Sequence, residues 1–182
     1  LGSENWQDLK EKMVKDRILS TETIEYRAMS ELAANFIAND SHNLNGSWSK
    51  QPSVSIIGCD LTIEMLENAN KVLLFCNEVE QAKSIASLLR DEGVRAAAIY
   101  GNLRKDERHS IMEEFRNDVI DVLVSVNVLR EGVDVPMVDG IILLRRGLEK
   151  DKHEPMRTQM IGRGLRGPRS GGTEHCTIWQ IE

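Results

Sequence analysis

Lys71-Val72-Leu73-Leu74-Phe75-Cys76 opens on a lysine and then runs apolar without a break. A strand with one wet face alternates polar and apolar residues; this one does not, which is the pattern of a strand covered on both faces in a parallel sheet. Directly after it Val79, Ala82, Ile85, Ala86 and Leu89 recur at helical spacing on one face, and Gly93 provides the left-handed stop that ends such a helix. Ala96-Ala97-Ala98-Ile99-Tyr100 is the next strand, closed by Gly101-Asn102, and Ile111, Met112 and Phe115 mark a second helix. Residues 120–126 and 138–144 read as two further buried strands, and residues 177–181 as a last one. With right-handed crossovers this alternation predicts a three-layer α/β/α domain, a mostly parallel sheet with helices on both faces.

Composition bounds what surrounds that sheet. A chain of 182 residues, 41% hydrophobic and 29% charged, suits one compact domain and is short for two. The net charge of −6 excludes a global positive field, so any contact with nucleic acid must come from local donors. Cys59, Cys76 and Cys176 are far apart and match no C-x-x-C spacing, and His42, His109, His153 and His175 have no ligand spacing. The sequence therefore predicts neither a zinc site nor a disulfide framework, and a reducing cytoplasm fits best. No apolar run approaches the ~20 residues that span a bilayer. Leu1-Gly2-Ser3 resembles a cloning remnant, and the strand-like run at the C-terminal end suits a piece of a larger protein.

Residues 4–53 differ in character. They read as charged helices without strand signals, with Ile24, Ala28 and Leu32 on one helical face, followed by a loop over 39–53 rich in Asn, Ser and Gly. Such a segment fits either a helical layer of the domain or a connector from a preceding one. The α/β domain itself is expected over residues 54–182.

Two stretches carry chemistry. The first is Leu129-Arg130-Glu131-Gly132-Val133-Asp134-Val135-Pro136, which follows the strand that brings Ser125 and Asn127 to its C-terminal edge, where open α/β sheets hold ligands. Small polar side chains there suit a phosphate of a nucleic-acid backbone. Gly132 gives a tight turn, and Asp134 is placed to accept hydrogen bonds; an ordinary strand-to-loop turn with a capping Asp would look the same. The second is Gln159-Met160-Ile161-Gly162-Arg163-Gly164-Leu165-Arg166, in which Arg163 and Arg166 stand one helical turn apart and Gly162 allows a close approach. Paired guanidinium groups suit a phosphate chain, although basic residues in a last helical turn also suit the helix dipole. Asn77, Asn102 and Arg108 are candidate backbone contacts that equally suit loop or surface positions.

In order and spacing these stretches resemble the second RecA-like domain of the superfamily 2 helicases. Residues 72–77 resemble motif IV, Ile99-Tyr100-Gly101-Asn102 with Arg108 the following motif IVa, residues 122–136 motif V, and residues 159–166 motif VI with Q-x-x-G-R-x-x-R intact. The Glu-Gly-x-Asp-x-Pro form is closest to the branch of restriction-enzyme motor subunits and DNA-repair translocases. Family motors usually have Thr where Ser125 stands, and the hydroxyl is kept.

The resemblance implies a set of roles. Arg166 would be the arginine finger on the γ-phosphate of ATP, with Arg163 beside it and Gln159 facing the nucleotide; Gly132, Asp134 and Gly162 would shape the cofactor side. Asn77, Asn102, Arg108, Ser125 and Asn127 would line the nucleic-acid track, DNA in preference to RNA. Neither a phosphate loop with its lysine nor an Asp-Glu pair for Mg²⁺ occurs in the sequence, so a first RecA-like domain would supply them and the isolated chain would hydrolyse no ATP. A RecA-like interaction domain without catalysis is the alternative.

Three decoys fall away. Gly162 to Gly167 satisfies G-x-G-x-x-G but precedes Pro168 instead of opening a helix. Residues 167–172 imitate a phosphate loop, yet Thr173 and Glu174 stand where Lys and Ser or Thr belong. Asp106-Glu107-Arg108-His109 spells a metal-binding box but sits at a helix start, where acids favour the dipole.

Overall fold

A computed structural model describes residues 6–16, 20–27, 52–126, 135, 137–144, 161–162 and 167–181. In chain order the elements are α1 (Trp6–Lys15), β1 (Thr21–Arg27), α2 (Pro52–Leu66), β2 (Val72–Phe75), α3 (Val79–Asp91), β3 (Ala96–Tyr100), α4 (Lys105–Arg116), β4 (Val122–Val126), β5 (Gly140–Leu143), a single 3-10 turn (Pro168–Ser170) and β6 (His175–Ile181). The six strands form one sheet in the order β1-β6-β5-β2-β4-β3, and every pair is parallel.

The apolar run that decides the fold behaves as its pattern requires. Val72 and Leu74 point into one core cluster, with α2 and α3, while Leu73 and Phe75 point into the other, with Met112 and Phe115 of α4. All four are buried, so both faces of β2 are dry. The two helices on the first face approach closely at Gly58 of α2, where a Cβ would lie 2.8 Å from Leu144 Cδ2 and 2.9 Å from Ile85 Cδ1. A larger residue there would overpack a filled core. α3 ends as expected: Gly93 has φ +83°, and the N–H groups of Gly93 and Val94 bond back to the carbonyls of Arg90 and Leu89.

One expectation is overturned. Ile24 does not share a helical face with Ala28 and Leu32; it lies in β1, paired with Ile178 of β6. Thr21, Thr23 and Glu25 are exposed while Glu22 and Ile24 between them are half-buried, which is period two and not 3.6. Pairing along seven residues of β6 supplies the backbone hydrogen bonds that settle the choice. The helical lead-in is real in α1, but the segment after it joins the sheet. β6 begins at His175, two residues before the expected start.

At the N-terminal ends of the strands the loops are tied by charge. The Asp139 carboxylate accepts from the backbone N–H groups of Asn70 and Lys71 and from Asn70 Nδ2. Lys71 is buried, with Nζ donating to the Phe115 carbonyl and lying 2.6 Å from Asp118 Oδ1. The opposite edge, at the C-terminal ends of the strands, is where open α/β sheets hold ligands.

Candidate nucleotide and nucleic-acid site

Because every strand is parallel, the turns after β2, β3, β4 and β5 leave from one edge. β2 feeds β3 on one side of it and β5 feeds β6 on the other, so the chain reverses direction between β2 and β5. Ligands in open α/β sheets sit outside such a reversal.

The register brings three of the expected site residues to this edge. Ser125 is level with Phe75 on β2 and with Ile99 on β3, so Asn77 and Asn102, each a few residues beyond those partners, flank the end of β4. Cys76 ties the first turn to β4 through its N–H, 3.1 Å from the Ser125 carbonyl. Asn102 is exposed, and Asn77 and Arg108 are half-buried. Arg108 lies in the first turns of α4 and donates its backbone N–H to the Arg104 carbonyl.

Ser125 differs from the expected solvent-facing contact. Its side chain alternates onto the α4 face of the sheet and is 0% exposed, and its Oγ has no hydrogen-bond partner. A buried hydroxyl left in this state costs on the order of 1–3 kcal/mol, so strand stability does not explain it. Gly162 also departs from expectation: it lies in a helical turn, exposed, and a Cβ there would meet nothing within 4 Å. The close approach foreseen there is not made within the described residues. Its neighbour Ile161 is buried in the same cluster as Phe75 and Leu143, which anchors that turn against the α4 face. Gly132, Asp134, Asn127, Gln159, Arg163 and Arg166 lie outside the described residues.

Gln81 escaped the sequence reading. It sits on α3, buried, and its Oε1 accepts the backbone N–H of Asn77 at 3.3 Å, while its Nε2 is buried without a partner. The available signal was a polar residue at the margin of the apolar face, immediately after the strand. Two of the decoys lie among the described residues. Asp106 and Glu107 stand in the first turn of α4, and the Gly172 N–H closes onto the Gly167 carbonyl, so that donor is spent inside the turn. Among the described residues no three His, Cys, Asp or Glu side chains are grouped to hold a metal ion. No described helix is long and apolar enough to cross a membrane.

Comparison with known proteins points the same way. The model of a family described as the helicase conserved C-terminal domain matches residues 57–167. Over 104 residues the chain is 35% identical to the putative mitochondrial ATP-dependent helicase irc3 of Schizosaccharomyces pombe, covering 57% of this chain and 16% of that protein. It is 31% identical over 104 residues to the ATP-dependent RNA helicase eIF4A of Kluyveromyces lactis, covering 57% and 25%. The chain thus spans about a quarter or less of the length of these curated relatives. Among solved structures, the Escherichia coli DEAD-box protein SrmB superposes with a TM-score of 0.61 over 89% of this chain and 77% of that one at 17% identity, a likeness of fold.

Proposed function

The chain belongs to the helicase conserved C-terminal domain family, the second RecA-like domain of superfamily 2 helicases, and from that premise we propose that it supplies the trans half of an ATP site and one side of a nucleic-acid track. The observation that carries this reading is the alignment of Asn77, Ser125 and Asn102 at one sheet edge beside the chain reversal. Burial of Ile161 supports it further, since it anchors the start of the motif VI segment against the sheet.

Hydrolysis of ATP builds negative charge on the γ-phosphate oxygens, and an arginine inserted from a second domain is worth ~10³ or more in rate. Arg166 takes that role, Arg163 holds the same phosphate, and Gln159 faces the nucleotide. Asp134 accepts from the ribose hydroxyls or from these arginines, Gly132 shapes the same side, and Gly162 stays bare for the incoming domain. Mg²⁺ belongs to the Asp-Glu pair of the first RecA-like domain, as the resemblance implies.

On the track side Asn77, Asn102, Arg108 and Asn127 hold phosphates without reading bases, while the buried Ser125 supports the end of β4 between Asn77 and Asn102. The unpartnered Ser125 hydroxyl is held in reserve for the motif V loop that follows it. DNA is the preferred track, as in the restriction and repair branch that the motif V form resembles. Affinity falls steeply with salt, as phosphate contacts require.

The test uses the division of labour. The 182-residue chain alone turns over no ATP, and activity requires the polypeptide that carries the phosphate loop. Turnover by the highly purified chain alone, measured by phosphate release, would overturn the half-site reading.

A further inference from the structure

β3 is the last strand of the sheet on its side among the described residues, and it is bare. Strand edges are normally guarded by charge, proline or a bulge. The sequence Ala96-Ala97-Ala98-Ile99-Tyr100 has no charge and no proline, and its register with β4 is unbroken.

The backbone of this edge can be read residue by residue. The Arg95 carbonyl accepts from Asp121 and Val122, so it points toward β4; by alternation Ala97 and Ile99 do the same, and Ala96, Ala98 and Tyr100 turn their polar groups outward. Two of the outward carbonyls are already used. Arg90 Nη1 donates to Ala96 O at 3.1 Å, and the Leu103 N–H donates to Tyr100 O. Between them the N–H and C=O of Ala98 face an open groove of about 320 Å³.

The two walls of the groove differ in chemistry. On the α3 side stand Lys83, its ammonium over the Tyr100 ring at 5.4 Å and paired with Glu80 at 2.7 Å, and Arg90, which makes no ion pair among the described residues. On the α4 side stand Leu103 and Ile111, with Glu107 beside them. Side chains of an added strand alternate between these walls.

We propose that the β3 edge takes an extended peptide segment of a partner as an added strand, with acidic residues toward α3 and apolar residues toward α4. Main-chain bonds to Ala98 supply the register, and the alternating walls supply the selectivity. Carboxylates complement Arg90 and compete with the exposed Glu80 for Lys83, whereas an apolar side chain avoids Glu107. A second copy of this chain fits worse: pairing two such edges joins like faces and sets Arg90 of one copy against Lys83 of the other.

The experiment titrates the 182-residue protein with a short labelled peptide alternating glutamate and valine, beside a scrambled peptide and a lysine–valine version. Fluorescence anisotropy reads binding, and hydrogen exchange reads protection of residues 96–100. The expected result is binding of the glutamate peptide with protection of the Ala98 amide. The Lys83→Glu/Arg90→Glu double variant, both exposed positions, should weaken it by on the order of tenfold or more and gain binding of the lysine version. No binding, or binding that ignores both peptide order and charge reversal, would overturn the proposal. So would protection of residues 96–100 by a single-stranded oligonucleotide or by self-association instead of the peptide.

Discussion

Asp118 shows how single residues hold the closed end of the sheet. Its backbone is left-handed, φ 60°, and its carboxylate meets the buried ammonium of Lys71. The hydrogen bond from Lys71, then its charge, holds the Asp118 carboxyl below its ordinary value of 3.8. A carboxyl lowered in the folded state contributes stability that is complete above the unfolded value and is lost as pH falls through the folded one. Acid unfolding followed by circular dichroism should therefore show a limb below about pH 3.8 that Asp118→Asn flattens, since asparagine accepts the same backbone. A limb of unchanged slope in the variant would remove the Lys71 contact from the account. Residue chemistry was legible in sequence only where spacing exposed it. The arginines of motif VI stand three residues apart in the sequence and lie outside the described residues, whereas the pairing of Gln81 with the Asn77 N–H and the burial of the Ser125 hydroxyl depend on which face each side chain takes.

Legibility at the scale of elements followed burial. β2, β4 and β5 are dry on both faces and have no competing helical pattern, so continuous apolar runs identified them. β1 has exposed alternate residues and lies at the other edge of the sheet, and its Ile24 happens to stand four residues before Ala28 and eight before Leu32. That coincidence imitates a helix, and only the long-range partner β6 decides against it. The strand is fastened by Arg27, whose guanidinium stacks on Trp179 at 4.6 Å and pairs with Glu64 of α2 at 2.9 Å. Both contacts are partly exposed, so Arg27→Ala should cost about 1 kcal/mol or less globally. Its sharper effect should be local: hydrogen exchange in residues 21–27 speeds up while β2 and β4 keep their protection. Equal loss of protection across the sheet would mean that β1 does not open separately.

Across the whole molecule, the two clusters on either side of the sheet make one closed core that contains all three cysteines. Burial, then neighbouring carboxylates, pushes the Cys176 thiol up to about 12 and the Cys59 thiol to about 11. At pH 8 the native protein should therefore react negligibly with a disulfide reagent such as dithiobis-nitrobenzoate and release its full thiol titre only in denaturant. Rapid native-state labelling would show that the core opens more freely than its packing allows. A core closed in this way suits the role proposed above, in which the domain moves as a body and carries its site edge against a second domain. The central claim is that the site is completed across that boundary by an arginine from this chain. The measurement that tests it most directly is ATP hydrolysis by the complete polypeptide, with and without duplex DNA, single-stranded DNA and RNA, beside Arg166→Ala. Stimulation by one polymer that falls ~10³-fold or more in the variant is the predicted result. Hydrolysis and stimulation that survive Arg166→Ala unchanged would contradict it.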